Sequence, residues 1–361
     1  MNNIDVVEIF MNGEVVGRIA MTSDSLCAFE YSPQYLAAGK SISPYFLPLR
    51  SGVTIAKRKP FFGGFGVFDD SLPDGWGRLI LDRYLKKNGY DPAKLTVLQR
   101  LALVGSSGRG ALEYKPDWSI GTAQEKINFD KLAAETKKIL ENDDYTGNSF
   151  DILYKYAGSS GGVRPKIFIK VDGKEWLVKF RSSYDSKKIG EIEYKYSLLA
   201  KKCGIIMPET RLFAGKYFGV ERFDRKSEGK IHTISAAGLL NADYRIPSLD
   251  YLTLLRICHD LTKNMKEVCA LFRLMVFNVA IKNRDDHAKN FSFQLIGNDW
   301  KLSPAYDILP SAGFGGFHTT TVNNSGEPEL SDILAVATNI GLSKQQTKNI
   351  IEEVNEVVKF L

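Results

Sequence analysis

The stretch that most restricts the fold of this chain is Asn283-Arg284-Asp285-Asp286-His287-Ala288-Lys289-Asn290. It follows an apolar segment, 271–280, interrupted by Arg273, and it runs into a strand-like segment from Phe291 to Leu295. The apolar segment is too short to cross a bilayer, and no run of 18 apolar residues occurs anywhere, so it reads as a buried helix. Polar residues packed this densely between a buried helix and a strand need partners or a ligand, because unsatisfied polar groups beside a core cost several kcal/mol. The chain must therefore build a helix–loop–strand junction that presents chemistry.

The remainder sorts into two halves. Asn12-Gly13 between apolar runs predicts a hairpin, and Asp172-Gly173 predicts a second one between 167–170 and 176–180. Trp76, Leu79, Ile80, Tyr84 and Leu85 recur at helical spacing after the turn Ser71-Leu72-Pro73-Asp74-Gly75. Further helices are expected over 96–103, 131–140 and 192–202, and two short strands over 213–223 around Gly215-Lys216. From about residue 247 the pattern is helical, apart from a hairpin at 291–302 turned by Gly297-Asn298. At about 150 residues per domain, 361 residues make two or three domains or lobes. The polar break after residue 140 places a boundary between 1–147 and 148–361, the latter split into a sheet-rich part (148–245) and a helical part (246–361). The class is α+β.

Composition narrows the function classes. With 44% hydrophobic and 25% charged residues, the chain is neither disordered nor a small disulfide scaffold. A net charge of +6 permits an anionic partner without demanding one. Cys27, Cys203, Cys258 and Cys269 form no CxxC pair and have no metal-like spacing to histidine, so they read as buried reduced thiols. His232, His259 and His318 read as structural. The start Met1-Asn2-Asn3-Ile4-Asp5 has no basic region ahead of an apolar one, which predicts a cytoplasmic protein without a signal peptide.

Asp285 and Asn290 have the spacing of a phosphotransferase catalytic loop, in which the aspartate accepts the substrate hydroxyl proton and the asparagine holds Mg²⁺. Asp307 stands one hairpin later as the second Mg²⁺ ligand. Upstream, a glycine-rich turn at 158–162 can approach phosphates, and Lys179 ends the next strand but one. Glu191 or Glu193 on the following helix could pair with that lysine, and Val220-Glu221-Arg222-Phe223-Asp224 sits where a hinge would bind adenine. Arg164 and Lys166 can face phosphates as well. Taken singly, each is more often something plainer: an ordinary loop, a snorkelling lysine, a solvated glutamate, a turn aspartate. Their order is that of a bilobal kinase. His287 reads as a residue orienting the loop, and with Lys289 and Asp285 it makes up the catalytic set.

These residues resemble the HipA-type serine/threonine kinases of bacterial toxin–antitoxin modules. Asn283 to Ser292 looks like that family's N-x-D-x-H-x-K-N-x-S signature. Phe68-Asp69-Asp70-Ser71-Leu72-Pro73-Asp74-Gly75-Trp76 is similar to its N-terminal motif, and Gly108-Arg109-Gly110-Ala111-Leu112 to its G-A-L motif. Ser160-Gly161-Gly162-Val163-Arg164-Pro165-Lys166 resembles its glycine-rich loop, the segment from Val220 to Arg225 its hinge, and Leu302 to Asp307 its metal-aspartate segment. The resemblance implies a fold similar to phosphatidylinositol 3-kinase-like kinases, with a mixed N-terminal subdomain and an all-helical C-terminal lobe. It implies ATP and Mg²⁺ as cofactors, with Asp285 as base and Asn290 and Asp307 on the metal. Lys179 would meet the ATP phosphates, alongside Ser160, Gly161, Gly162 and Glu193, with Glu221 and Phe223 at the hinge through backbone groups. Asp285 and Asp286 compete for the role of base, and the spacing to Asn290 favours Asp285. A loop serine, Ser159 or Ser160, would be autophosphorylated and inactivate the kinase.

The partners implied are a HipB-like helix-turn-helix antitoxin, DNA only through it, and a protein substrate, an aminoacyl-tRNA synthetase being one the family takes. Membranes are not among them. Two other readings remain: a pseudokinase-like subunit of a HipB-like repressor, marked by nucleotide binding without turnover, and a small-molecule kinase, marked by activity on a sugar or aminoglycoside and on no protein. Lys179, Asp285, Asn290 and Asp307, all intact, argue against the former.

Overall fold

The structure, a computed structural model, describes residues 3–120, 127–142, 145, 150–158, 161–313 and 315–359. The chain divides into two compact units, Met1–Glu191 with Glu209–His232, and Ile192–Pro208 with Thr233–Leu361.

Among its described residues the first unit holds two larger antiparallel sheets and a short antiparallel pair, Arg225–Lys226 with Gly229–Lys230. In one, β1 (Val6–Met11), β2 (Glu14–Met21), β3 (Cys27–Tyr31), β4 (Thr54–Ile55) and β5 (Leu112–Lys115) lie in the order β4-β3-β2-β1-β5. Asn12 (φ 51°) and Gly13 (φ 87°) both adopt the left-handed conformation that a two-residue hairpin of this twist requires. In the other, β6 (Lys166–Val171), β7 (Lys174–Lys179), β8 (Thr210–Phe213) and β9 (Tyr217–Glu221) lie in the order β6-β7-β9-β8.

Helices join these sheets. Thr96 and Gln99 form a reciprocal capping box at the start of Val97–Val104. Trp76 and Ile80, on the helix Gly75–Lys87, share one buried core with Ile167, Trp176 and Val178 of the second sheet. That core also takes Phe150 and Leu153 from the helix Phe150–Ala157, which the sequence reading passed over because its apolar repeat spans barely two turns beside a glycine-rich run. The expected boundary at 147/148 lies outside the described residues.

The second unit is rich in helix: Tyr251–Thr262, Met265–Ala280, Leu330–Asn339 and Lys344–Val358. The lobe expected to be all-helical carries sheet as well. Ser292–Ile296 pairs antiparallel with Asp299–Leu302 across Gly297 (φ 60°), and Leu249–Asp250 pairs in parallel with Thr320–Thr321. The cause is local: the polar loop must leave the buried helix along an extended segment, and Gly297-Asn298 turns that segment back. Among the described residues, no helix is long and apolar enough to cross a membrane.

Candidate active site

The polar loop leaves the helix Met265–Ala280 and is anchored from beneath by a chain of buried hydrogen bonds. Asn283 donates its amide N–H to the Asn278 carbonyl (2.8 Å), and its side-chain Nδ2 reaches Asn278 Oδ1 (3.1 Å) and the Asp307 carbonyl (3.3 Å). Asn278 Nδ2 donates to the Tyr251 hydroxyl (3.0 Å), which donates to Asp286 Oδ2 (3.0 Å). Burial, and then the nearby Asp286 carboxylate, hold the Tyr251 phenol well above its ordinary pKa, so it remains a donor.

Asp286 is wholly buried. Besides Tyr251, it receives His318 Nδ1 (2.9 Å) and the backbone N–H groups of Thr319 (2.9 Å) and Thr320 (3.1 Å), while Thr320 Oγ1 donates to its carbonyl. Both carboxyl oxygens are thus engaged by the protein. Asp285, its neighbour, is exposed. The two adjacent aspartates differ completely in surroundings: one ties the loop to segment 318–320, the other faces outward.

Asn290 Nδ2 donates to the Asp285 carbonyl (2.6 Å). Between them, His287 caps the short turn Ala288–Asn290, accepting the Lys289 N–H on Nδ1 (3.2 Å). The Lys289 ammonium sits 4.1 Å from the centroid of the Tyr244 ring. Tyr306 donates to the Lys289 carbonyl (2.6 Å), and Asp307, next in the chain, is exposed in the left-handed conformation (φ 54°). Asp285, Asn290 and Asp307 are therefore brought onto one frame, which Asn283 and Tyr306 lace together. Glu193, also in this unit, is buried on the helix Ile189–Lys202.

In the first unit, Lys179 at the end of β7 stands directly across from Lys166 on β6, and both are buried. Two cations opposed on one face of a sheet repel one another unless negative groups offset them. Lys166 Nζ donates to the Gly161 carbonyl, and Lys179 Nζ lies 5.6 Å from the Phe218 ring centroid. Arg164, expected to face phosphates, is instead held by Asp185 through two prongs of 2.9 Å, the planar fork matching the carboxylate. Gly161 and Gly162 are exposed, whereas Ser159 and Ser160 lie outside the described residues.

At the expected hinge, the Glu221 N–H donates to the Glu209 carbonyl (2.9 Å) and its carboxylate accepts from Lys174 (2.9 Å). Phe223 is half-buried. The next residue, Asp224, is buried between Arg222 (2.8 Å) and Arg225 (2.9 Å) and accepts the Gly110 N–H (2.8 Å). Burial by itself would raise its pKa, but the two guanidinium groups outweigh that and hold the carboxyl well below the usual range. The same arginines donate to the carbonyls of Gly108 and Gly110, Arg225 at 2.7 and 2.8 Å. Sequence reasoning missed this cluster, as it missed Tyr251, Asn278 and His318 beneath the loop. No local signal marks partners this far apart along the chain.

Residues 7–115 match the HipA N-terminal domain and residues 158–360 the HipA-like C-terminal domain. Two curated proteins of Sinorhizobium fredii, Y4dM and Y4mE, each provisionally named a kinase, are similar to this chain. Y4dM is 22% identical, over 92% of this chain and 83% of its own length. Y4mE is 25% identical, over 86% and 78%. Among solved structures, the Shewanella oneidensis HipA complex with HipB and operator DNA is matched with a TM-score of 0.71 at 18% identity, covering 98% of this chain and 91% of that one. That likeness is one of fold, and it carries the α+β, kinase-like architecture described above. With both family domains present in order across most of its length, the chain belongs to the HipA family.

Proposed function

We propose that this protein is an ATP- and Mg²⁺-dependent serine/threonine protein kinase, the toxin of a toxin–antitoxin pair in the cytoplasm. The observation that carries the reading is the division of labour between Asp285 and Asp286. A loop that buries one carboxylate under four donors while leaving its neighbour exposed has one side chain suited to accept a proton. Asp285 accepts the substrate hydroxyl proton, and His287 and Lys289 keep the loop in shape around it.

Asn290 and Asp307 fit Mg²⁺. The Asn290 Nδ2 is engaged by the Asp285 carbonyl, so the amide offers its oxygen, and Asp307 offers a carboxylate, both hard donors. When bound, the ion neutralises phosphate charge. In the first unit, Lys179 and Lys166 meet the phosphates with Gly161, Gly162 and Ser160. Glu221 serves adenine through its carbonyl, its N–H being engaged, and Phe223 through its backbone. The resemblance assigns Glu193 to nucleotide binding as well.

Phosphorylation of Ser159 or Ser160 would add nearly two negative charges beside the phosphate site and shut it to ATP. The functional division follows the sequence motifs: 1–147 as the N-terminal domain, 148–245 as the nucleotide-binding part and 246–361 as the lobe with the catalytic loop. A HipB-like antitoxin is the proposed partner, because the similar Shewanella HipA was solved with HipB and operator DNA. DNA is then reached through the antitoxin, and the substrate is a protein, an aminoacyl-tRNA synthetase as the first to try.

The test is incubation with ATP and Mg²⁺ followed by phosphosite mass spectrometry. Phosphate should appear at Ser159 or Ser160 in the wild type and vanish in Asp285→Ala. Equal phosphate in both overturns the assignment.

A further inference from the structure

The motif around Asp74-Gly75-Trp76 lies far from the catalytic loop in sequence, and the function as proposed has no use for it. Its geometry supplies one. Asp74 stands at the start of the helix Gly75–Lys87 in extended conformation, where an aspartate ordinarily accepts an N–H from the first turn, yet its side chain makes no capping bond. Instead Asp74 Oδ1 accepts the N–H of Gly162 in the glycine-rich loop. The return bond comes from the Trp76 N–H, which donates to the Gly162 carbonyl (2.9 Å).

The fit leaves no slack. A Cβ on Gly75 would stand 2.3 Å from the Gly162 carbonyl oxygen, and one on Gly161 would stand 2.9 Å from Asp74 Oδ1. Lys166 Nζ closes the other side by donating to the Gly161 carbonyl. Trp76 is buried in the same core as Trp176 and Val178, so the clasp is rooted in the sheet that carries Lys179.

We propose that Asp74, Gly75 and the Trp76 N–H form a clasp that positions the glycine-rich loop for the nucleotide. These are positioning residues: they act on the phosphates through the loop. The inference rests on the proposed use of ATP, and it adds a task for the N-terminal domain, which holds the loop in its binding-competent form. If the clasp is opened, the competent form becomes a minor fraction of the population, and apparent affinity falls by that fraction.

The test measures steady-state ATP kinetics and amide hydrogen exchange of peptides spanning 161–166, on the full chain. Asp74→Ala should raise the KM for ATP about tenfold while kcat at saturating ATP stays within about threefold, and exchange in the loop should quicken. Asp74→Asn, which keeps an Oδ1 acceptor, should restore both. Gly75→Ala should behave as Asp74→Ala does. Gly89→Ala is the control: Gly89 has a comparable positive φ (78°) with nothing within 4 Å of its missing Cβ, so it reports backbone strain alone. Unchanged KM and unchanged exchange in Asp74→Ala, or an Asn variant as impaired as the Ala variant, overturn the clasp. A wild type that neither binds nor turns over ATP overturns the kinase reading instead. Exchange in the loop, which needs no nucleotide, then decides the clasp alone.

Discussion

Replacing Asp286 by alanine separates the anchor beneath the loop from the chemistry above it. The carboxyl is fully buried and receives four donors: the Tyr251 hydroxyl, His318 Nδ1 and the Thr319 and Thr320 amides. Each buried donor left without a partner costs about 1–3 kcal/mol, and part of that is recovered as water enters or Thr319 leans on the Arg284 carbonyl, its alternative acceptor at 3.1 Å. A net loss of about 4 kcal/mol is the reasonable sum, within the range seen when one side of a buried polar network is removed. For a cooperative unit of about 150 residues this corresponds to a fall in melting temperature of roughly 8–16 °C. Asp286→Asn should cost far less, because its Oδ1 can still accept from the two amides, and the Tyr251 hydroxyl and His318 ring can each reverse their roles. Differential scanning calorimetry of both variants beside Asp285→Ala is the assay. The last should melt like the wild type, since Asp285 is exposed. If Asp286→Ala melts within about 2 °C of the wild type, or if Asp285→Ala is the variant that unfolds, the distinction between anchor and base is wrong.

Asp285→Ala should lower phosphate transfer by about 10²–10⁴-fold without altering the fold, as read by radiolabelled ATP incorporation. In cells, expression without a partner should slow growth and Asp307→Ala should relieve it; equal toxicity of the two would count against a kinase-based toxin. His232 is pushed down by burial to about 4, from an ordinary 6.5, with Nε2 on the Ile42 carbonyl (2.8 Å). Its folded pKa is depressed, so the unfolded chain binds the proton more readily, and stability present above pH 6.5 is lost as the pH falls towards 4. His232→Gln should flatten urea-unfolding stability over that window by on the order of 3 kcal/mol, and an unchanged slope would refute the assignment. Burial pushes the thiols of Cys27 and Cys258 up to about 12 and Cys203 to about 11. Iodoacetamide on the native protein at pH 8 should therefore label Cys269, the least buried, well ahead of the other three, as peptide mass spectrometry would show.

Much of this architecture was legible from local signals. Asn12-Gly13 and Gly297-Asn298 announced their hairpins because turn chemistry is set by two residues. The loop 283–290 announced itself because polar residues at a helix–strand junction must have a use. The contact of the Asn290 side-chain amide with the Asp285 carbonyl was not part of that reading, which took the spacing as one of base and metal ligand. The limits of that reading are equally physical. Nothing near Asp286 in sequence indicates that Tyr251 and His318, each more than 30 residues away, will close over it. Arg164 looked like a phosphate ligand because its partner, Asp185, lies beyond the following hairpin. Asp74 read as part of a turn ahead of a helix, and only the three-dimensional approach of Gly162 shows what its side chain holds. Short-range rules recover elements and loops, whereas the groups that hold the loops in place are contributed by distant segments.

The buried charges at Arg222, Asp224 and Arg225 bear on how far this protein can be taken apart. A cut near residue 147 respects the sequence motifs, yet it would strip Asp224 of the Gly110 amide and both arginines of the Gly108 and Gly110 carbonyls. A kinase half made on its own would then face solvent with an ion cluster built for the interior, and with the core around Trp176 missing Trp76 and Ile80. The N-terminal half is in this sense less an appendage than a missing wall of the sheet that carries Lys179. Residues 1–147 should therefore stay with the sheet β6-β7-β9-β8 in any shortened chain, because the two share a core and an ion cluster.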